Sequence, residues 1–144
     1  MEELRLGDQL VRFDHDATVA AYALMPQGDG DRCGCVHCRN FAAQRGSIYP
    51  PNFRLLLAQI GIDPAKEGEV FDMVGPFNER LRPTGGWFYF VGEFIERGEK
   101  RVDEGEFQYW FQPSFPRPPD SFGQSVVAIE FSVRVPWVLD EDPY

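Results

Sequence analysis

A chain of 144 residues with a net charge of −9 and a pI near 4.6 offers no basic face for a phosphate backbone or an anionic membrane surface, so nucleic acid and membrane are not expected as partners. Its 43% hydrophobic content, 15% aromatic content and 13 Phe suffice for one core, and a single domain over residues 1–144 is expected. No apolar run approaches the ~20 residues of a membrane span. The acidic start Met1-Glu2-Glu3-Leu4-Arg5 does not read as a signal peptide. The expected location is the cytoplasm, where thiols stay reduced. Of the 14 basic residues 12 are Arg, a bias that points to a GC-rich bacterial genome.

In chain order, Leu4 to Phe13 holds a strand. Asp14 or Asp16 then caps a short helix over Ala17 to Leu24, which Pro26 stops. Gln27-Gly28-Asp29-Gly30-Asp31 reads as a loop by composition. A helix over Val36 to Arg45 would end at Gly46 in a left-handed cap. Pro50-Pro51 opens a helix with Phe53, Leu56, Leu57 and Ile60 on one stripe, closed by Gly61, and Asp63-Pro64 opens one more turn through Glu67. Val70 to Val74 and Trp87 to Val91 read as strands, the second apolar on both faces and therefore central. Gly85-Gly86 reads as a turn, and Glu96 to Glu106 as a solvated hairpin loop. Phe107 to Phe111 is another aromatic strand, after which Pro113, Pro116, Pro118 and Pro119 forbid regular structure. Val127, Ile129, Phe131, Val133 and Val135 alternate with Ala128, Glu130, Ser132 and Arg134, the period of a half-buried strand. Helices in the first half and antiparallel strands in the second give an α+β fold, with short N-terminal helices packed on one face of a sheet of about 4–5 strands.

The chemistry is concentrated in Cys33-Gly34-Cys35-Val36-His37-Cys38. All three cysteines of the chain and one of its two histidines lie there. An odd number of cysteines cannot close a disulfide framework, and this spacing is that of a metal or redox site. Cys35-x-x-Cys38 has the two-residue spacer of a zinc knuckle, and Cys33 lies close enough along the chain to reach the same ion. A closed structural site needs a fourth ligand. His37 lies inside the knuckle, where an intervening side chain usually points away, and His15 is the alternative from elsewhere in the fold.

A second reading is thiol redox chemistry. Cys35-Val36-His37-Cys38 resembles the active-site tetrapeptide of thioredoxin-like oxidoreductases, and a helix starting at Val36 would put Cys35 at its positive end. That fold places its Cys-x-x-Cys after an apolar strand, however, and here a polar Gly/Asp loop precedes it. A third reading is three reduced cysteines packed as small hydrophobes near a helix start. Elsewhere no glycine-rich phosphate loop and no Ser-His-Asp order appear. Glu93, inside an otherwise apolar strand, faces either a pocket or an edge.

The residues Cys35, Cys38, Asn40 and Phe41, followed by Gly61-Ile62-Asp63-Pro64, resemble those of small bacterial proteins of uncharacterised role that carry a Cys-x-x-Cys-x-Asn-aromatic motif. The resemblance implies no particular activity and favours a binding or accessory role over an enzyme. The expected function is therefore a bacterial accessory or interaction protein with a protein partner and a zinc held by the cysteine cluster. The alternatives are a Cys-x-x-Cys thiol-disulfide oxidoreductase and a small-molecule-binding domain with its pocket against the aromatic sheet.

Overall fold

The first apolar stretch is folded back on itself at Gly7-Asp8. The computed structural model, which describes residues 1–72, 81–113 and 118–141 and leaves aside the side chains of 81 and 82, has β1 (Glu2–Leu6) and β2 (Gln9–Phe13) where the pattern predicts one strand. The cause is local. Gly7 takes φ +62° at the first position of a two-residue turn, the conformation that a tight hairpin demands and glycine supplies. The Asp8 carboxylate accepts the N–H groups of Glu99 and Lys100 and ties this turn to a distant loop.

Five helices follow among the described residues: α1 (His15–Ala23), α2 (Asp29–Cys33), α3 (Val36–Ala43), α4 (Arg45–Ile48) and α5 (Pro51–Ile60). Asp14, not Asp16, caps α1 by accepting the Ala17 N–H at 3.0 Å. The Gly/Asp segment expected to be a loop carries the start of α2, from Asp29. Gly46 lies inside α4 and is not among the glycines with positive φ, so α3 ends earlier than its spacing suggested. For α5 the expected signals hold: Pro51 opens it, Gly61 closes it at φ +96°, and Phe53, Leu56, Leu57 and Ile60 are buried. Its first turn is capped from the sheet, where the Glu104 carboxylate accepts the N–H groups of Asn52 and Phe53. Asp63-Pro64 makes a turn closed by the Asp63 side chain on the Ala65 N–H and does not extend into a helix.

The sheet is antiparallel with seven strands, more than the four or five expected. After the first hairpin it comprises β3 (Glu69–Asp72), β4 (Leu81–Glu96), β5 (Val102–Glu104), β6 (Phe107–Pro113) and β7 (Val126–Pro136). The order is β1-β2-β4-β7-β6-β5, and β3 also pairs with β4. The 16-residue β4 is central, as its two-sided apolar character predicts, and pairs with β2, β3 and β7. Gly85 and Gly86 lie within β4, not at a turn. A Cβ at Gly85 would come within 2.5 Å of the Phe71 ring, and one at Gly86 within 2.6 Å of the Phe131 ring, so glycine makes room for aromatic packing across the strands. The extra strand β5 lies in the charged segment read as a hairpin loop. A single 3-10 turn, Asp120–Phe122, follows the prolines. Pro116 and the end of the Val70–Val74 stretch lie outside the described residues.

The core is aromatic. Phe131 of β7 packs on Phe41 of α3, Tyr49, Phe53 of α5, Phe88 of β4 and Phe107 of β6, with ring centroids 5.4 to 6.2 Å apart. Phe41 is three residues beyond Cys38, so the same contact that builds the core also fixes the helix carrying the cysteines. No described helix is long and apolar enough to cross a membrane.

Candidate metal centre

Two short helices and the kink between them gather the three sulfurs. Cys33 is the last residue of α2. Gly34, at φ +74°, ends that helix in the left-handed conformation and turns the chain. Cys35 is then extended and caps α3, its sulfur accepting the Cys38 N–H at 3.4 Å. Cys38 follows in the first turn of α3. The three Sγ atoms all lie within 4.8 Å of one another. Three sulfurs each about 2.3 Å from one tetrahedral ion stand roughly 3.8 Å apart, so small side-chain rotations close this group on a single ion.

The three thiols differ in environment. Cys33 and Cys35 are exposed, while Cys38 is buried. Burial pushes the Cys35 thiol up, but the Cys38 N–H, the Cys33 and Cys38 thiols and the His37 N–H together outweigh it, and its pKa falls below the usual thiol value. Burial pushes Cys38 strongly the other way, and its hydrogen bonds with Cys33 and Cys35 add to that rise. The electron-rich, accessible sulfur is therefore Cys35.

Neither histidine joins the sulfurs. The His37 Nδ1 stands 2.9 Å from an Asp72 carboxylate oxygen on β3, at an ion-pair distance but without the alignment of a hydrogen bond, and its ring lies edge-on to Trp137. His15 sits at the start of α1 beside Asp16 and lines a different hollow with Val19 and Gly61. Among the described residues the group of potential ligands consists of three cysteines, with no histidine, aspartate or glutamate atom added. A cavity of about 150 Å³ adjoins the cysteines and is walled by His37, Phe71, Val135 and Trp137.

The segment that presents the sulfurs is anchored from both sides. Glu67 is fully buried. It accepts the Gly30 N–H at 3.0 Å, and both its oxygens pair with Arg45, at 2.7 and 3.1 Å. A Cβ on Gly30 would come 2.7 Å from Glu67 Oε1, so the close approach of α2 requires glycine there. Asp29 accepts the Val70 N–H and ties α2 to β3. On the other side, buried Asn40 donates to the Pro136 carbonyl at 3.0 Å and accepts the Val138 N–H at 2.9 Å. Arg39 forms a two-pronged pair with Glu141 at 2.7 and 2.8 Å and also donates to the Gly34 carbonyl. The Arg-Asn pair after Cys38 thus pins the C-terminal segment, with Trp137, against the cavity. Nothing in the sequence marks Glu67, Arg45 or Asp72 for these roles. Each acts through the fold from a distant part of the chain, and no local spacing marks it.

Glu93 makes a cross-strand ion pair with Arg12 at 3.1 Å, with its side chain half exposed. A larger cavity of about 670 Å³ lies elsewhere, between Met25, Asp29, Arg32, Glu69, Tyr89 and Asp120. Burial, reinforced by the Asp29 charge, raises the Glu69 carboxyl there. No family model, curated protein or solved structure matches this chain.

Proposed function

We propose that this chain is a metal-binding accessory protein in which Cys33, Cys35 and Cys38 hold one zinc ion in a reducing cytoplasm, and which acts through a protein partner and not as an enzyme. The observation that carries this reading is the convergence of every cysteine in the chain to within 4.8 Å. Free cysteines packed as small hydrophobes have no reason to converge with two of them exposed. Thiolates suit zinc, and the capping geometry that draws Cys35 below its ordinary pKa lowers the cost of deprotonating it for the ion. The fourth ligand belongs to water or to a partner's side chain, which is what connects the centre to an accessory role. Protein purified under reducing conditions without chelator should carry about one zinc per chain, and the Cys33→Ser and Cys35→Ser variants should carry far less. A metal-free parent protein that stays metal-free when zinc is added would end this reading.

A second reading has its own support. Cys35 is an exposed helix cap with a lowered pKa, and Cys38, three residues on, is buried with a raised one. That asymmetry suits a thiolate that attacks a disulfide and a partner thiol that resolves the mixed disulfide. The segment before Cys35 is the helix α2 and not the apolar strand that precedes the Cys-x-x-Cys of thioredoxin-like sites. Equal disulfide-reductase turnover by the parent protein and Cys35→Ser would dismiss it. For the small-molecule reading, the cavity beside the cysteines is below the ~300 Å³ of ordinary ligand pockets, and the cavity of ligand size is the one of about 670 Å³ against Tyr89 of β4.

A further inference from the structure

We infer that the ion this centre holds most tightly is a trivalent thiophilic one that bonds three sulfurs and no fourth atom, arsenic(III) or its heavier analogue antimony(III). The inference rests on the proposed reading that Cys33, Cys35 and Cys38 act as one ligand set. Ligand number, the wall beside the sulfurs and charge lead to it.

The first is ligand number. The chain has three cysteines and all three are in the group, with no histidine or carboxylate atom joining them among the described residues. Zinc completes a tetrahedron only with a fourth donor. Arsenic(III) forms three bonds in a shallow pyramid and keeps an unshared electron pair on its fourth side. The second is what adjoins the sulfurs. Phe71, Val135 and Trp137 form the apolar part of a wall that also carries His37, Asp72 and Thr84, and that apolar part suits an unshared pair that needs no hydrogen bond. The third is charge. Three thiolates around a divalent ion leave one negative charge, whereas three around a trivalent ion leave none. Cys38 is buried against that apolar wall in a protein of net charge −9, where a neutral centre has the smaller desolvation cost.

The binding step balances without any oxidant or reductant. Neutral arsenous acid meets three thiols; three As–O and three S–H bonds break, three As–S bonds form, and three waters leave. Arsenic stays trivalent and sulfur keeps its oxidation state. Exposed Cys35 makes the first bond, and buried Cys38 the last.

The test uses the full reduced chain, with arsenite and zinc as competing probes. Arsenite should bind at about one per chain, remove all three thiols from reaction with a thiol reagent, and displace zinc. Each of Cys33→Ser, Cys35→Ser and Cys38→Ser should weaken arsenite binding roughly 100-fold or more, at least the upper end of what loss of a supporting contact does to a metal site. The variants at exposed Cys33 and Cys35 retain the fold, which far-UV circular dichroism checks. Arsenite that consumes only two thiols, or zinc that resists a molar excess of arsenite, overturns the inference while leaving the metal centre standing. Binding of neither ion overturns both.

Discussion

At the scale of the residue, the centre depends on three thiols with unequal environments. Cys35 is exposed and drawn down by the N–H groups it caps, while Cys38 is buried and pushed up. Limiting iodoacetamide at neutral pH should therefore label Cys35 well before Cys38, as mapped by mass spectrometry, and preferential labelling of Cys38 would contradict the geometry. The same protons compete with a metal. Because the ligand is the thiolate, affinity should fall as pH is lowered, and the loss should track protonation of all three sulfurs together. The cysteine spacing is legible directly in the sequence and keeps the three backbones close, but that the sulfurs face one point is set by the Gly34 kink and the Cys35 cap. The place of His37 is not legible there. Its side chain is oriented by Asp72, which is 35 positions away in the chain and brought close only by the pairing of β3 with β4.

At the scale of the element, what matters is how α2 and α3 are held. Glu67 is fully buried under Arg45, whose side chain is 16% exposed, and it also takes the Gly30 N–H. Replacing Glu67 by Ala removes both of its bonds to Arg45, leaving that guanidinium the Asp31 carboxylate at 3.3 Å, and strands the Gly30 amide, and should cost about 3 kcal/mol in chemical denaturation. Because α2 ends at Cys33, the same variant should also bind metal more weakly, and an unchanged affinity would show that α2 does not depend on this anchor. On the other side, Asn40→Ala removes both hydrogen bonds to the 136–138 segment. It should lose about 1–3 kcal/mol and speed hydrogen exchange at the Val138 amide, with little change at core amides of β7. Local signals predict α5 well because its start, stripe and stop are all written between Pro51 and Gly61. They mislead at Gly28 to Asp31 and at Gly85-Gly86. In both places glycine is used for close approach between distant parts of the chain, Glu67 in one case and the Phe71 and Phe131 rings in the other. A glycine chosen for clearance looks, in sequence, like a glycine chosen for a turn.

At the scale of the whole molecule, most of the aromatic core stands apart from the cysteines, and Phe41 is the ring the two share. Rings of Phe53, Phe88, Phe107 and Phe131 pack together, all of them buried, and none lines the cavity at the cysteines. A small zinc domain unfolds when its ion is removed. Here chelation should leave the far-UV spectrum essentially intact and lower the melting temperature by an amount that depends on free metal concentration. Collapse of the sheet signal on chelation would mean that the core cannot stand without the ion. Alternation along β7 and the aromatic runs of β4 and β6 made the sheet legible as a class. Its seven strands were not, because β1 and β2 are divided by a two-residue turn and β5 is three polar-flanked residues whose pairing with β6 decides their state.

Cobalt titration of the reduced chain tests the central claim most directly, since sulfur-to-cobalt charge transfer reports thiolates bound to the ion itself. The account predicts a near-ultraviolet band that saturates at about one cobalt per chain and falls in each of the Cys33→Ser, Cys35→Ser and Cys38→Ser variants, as one shared site requires. Absence of the band at saturating cobalt, or a band untouched by removal of any one of the three cysteines, would contradict it.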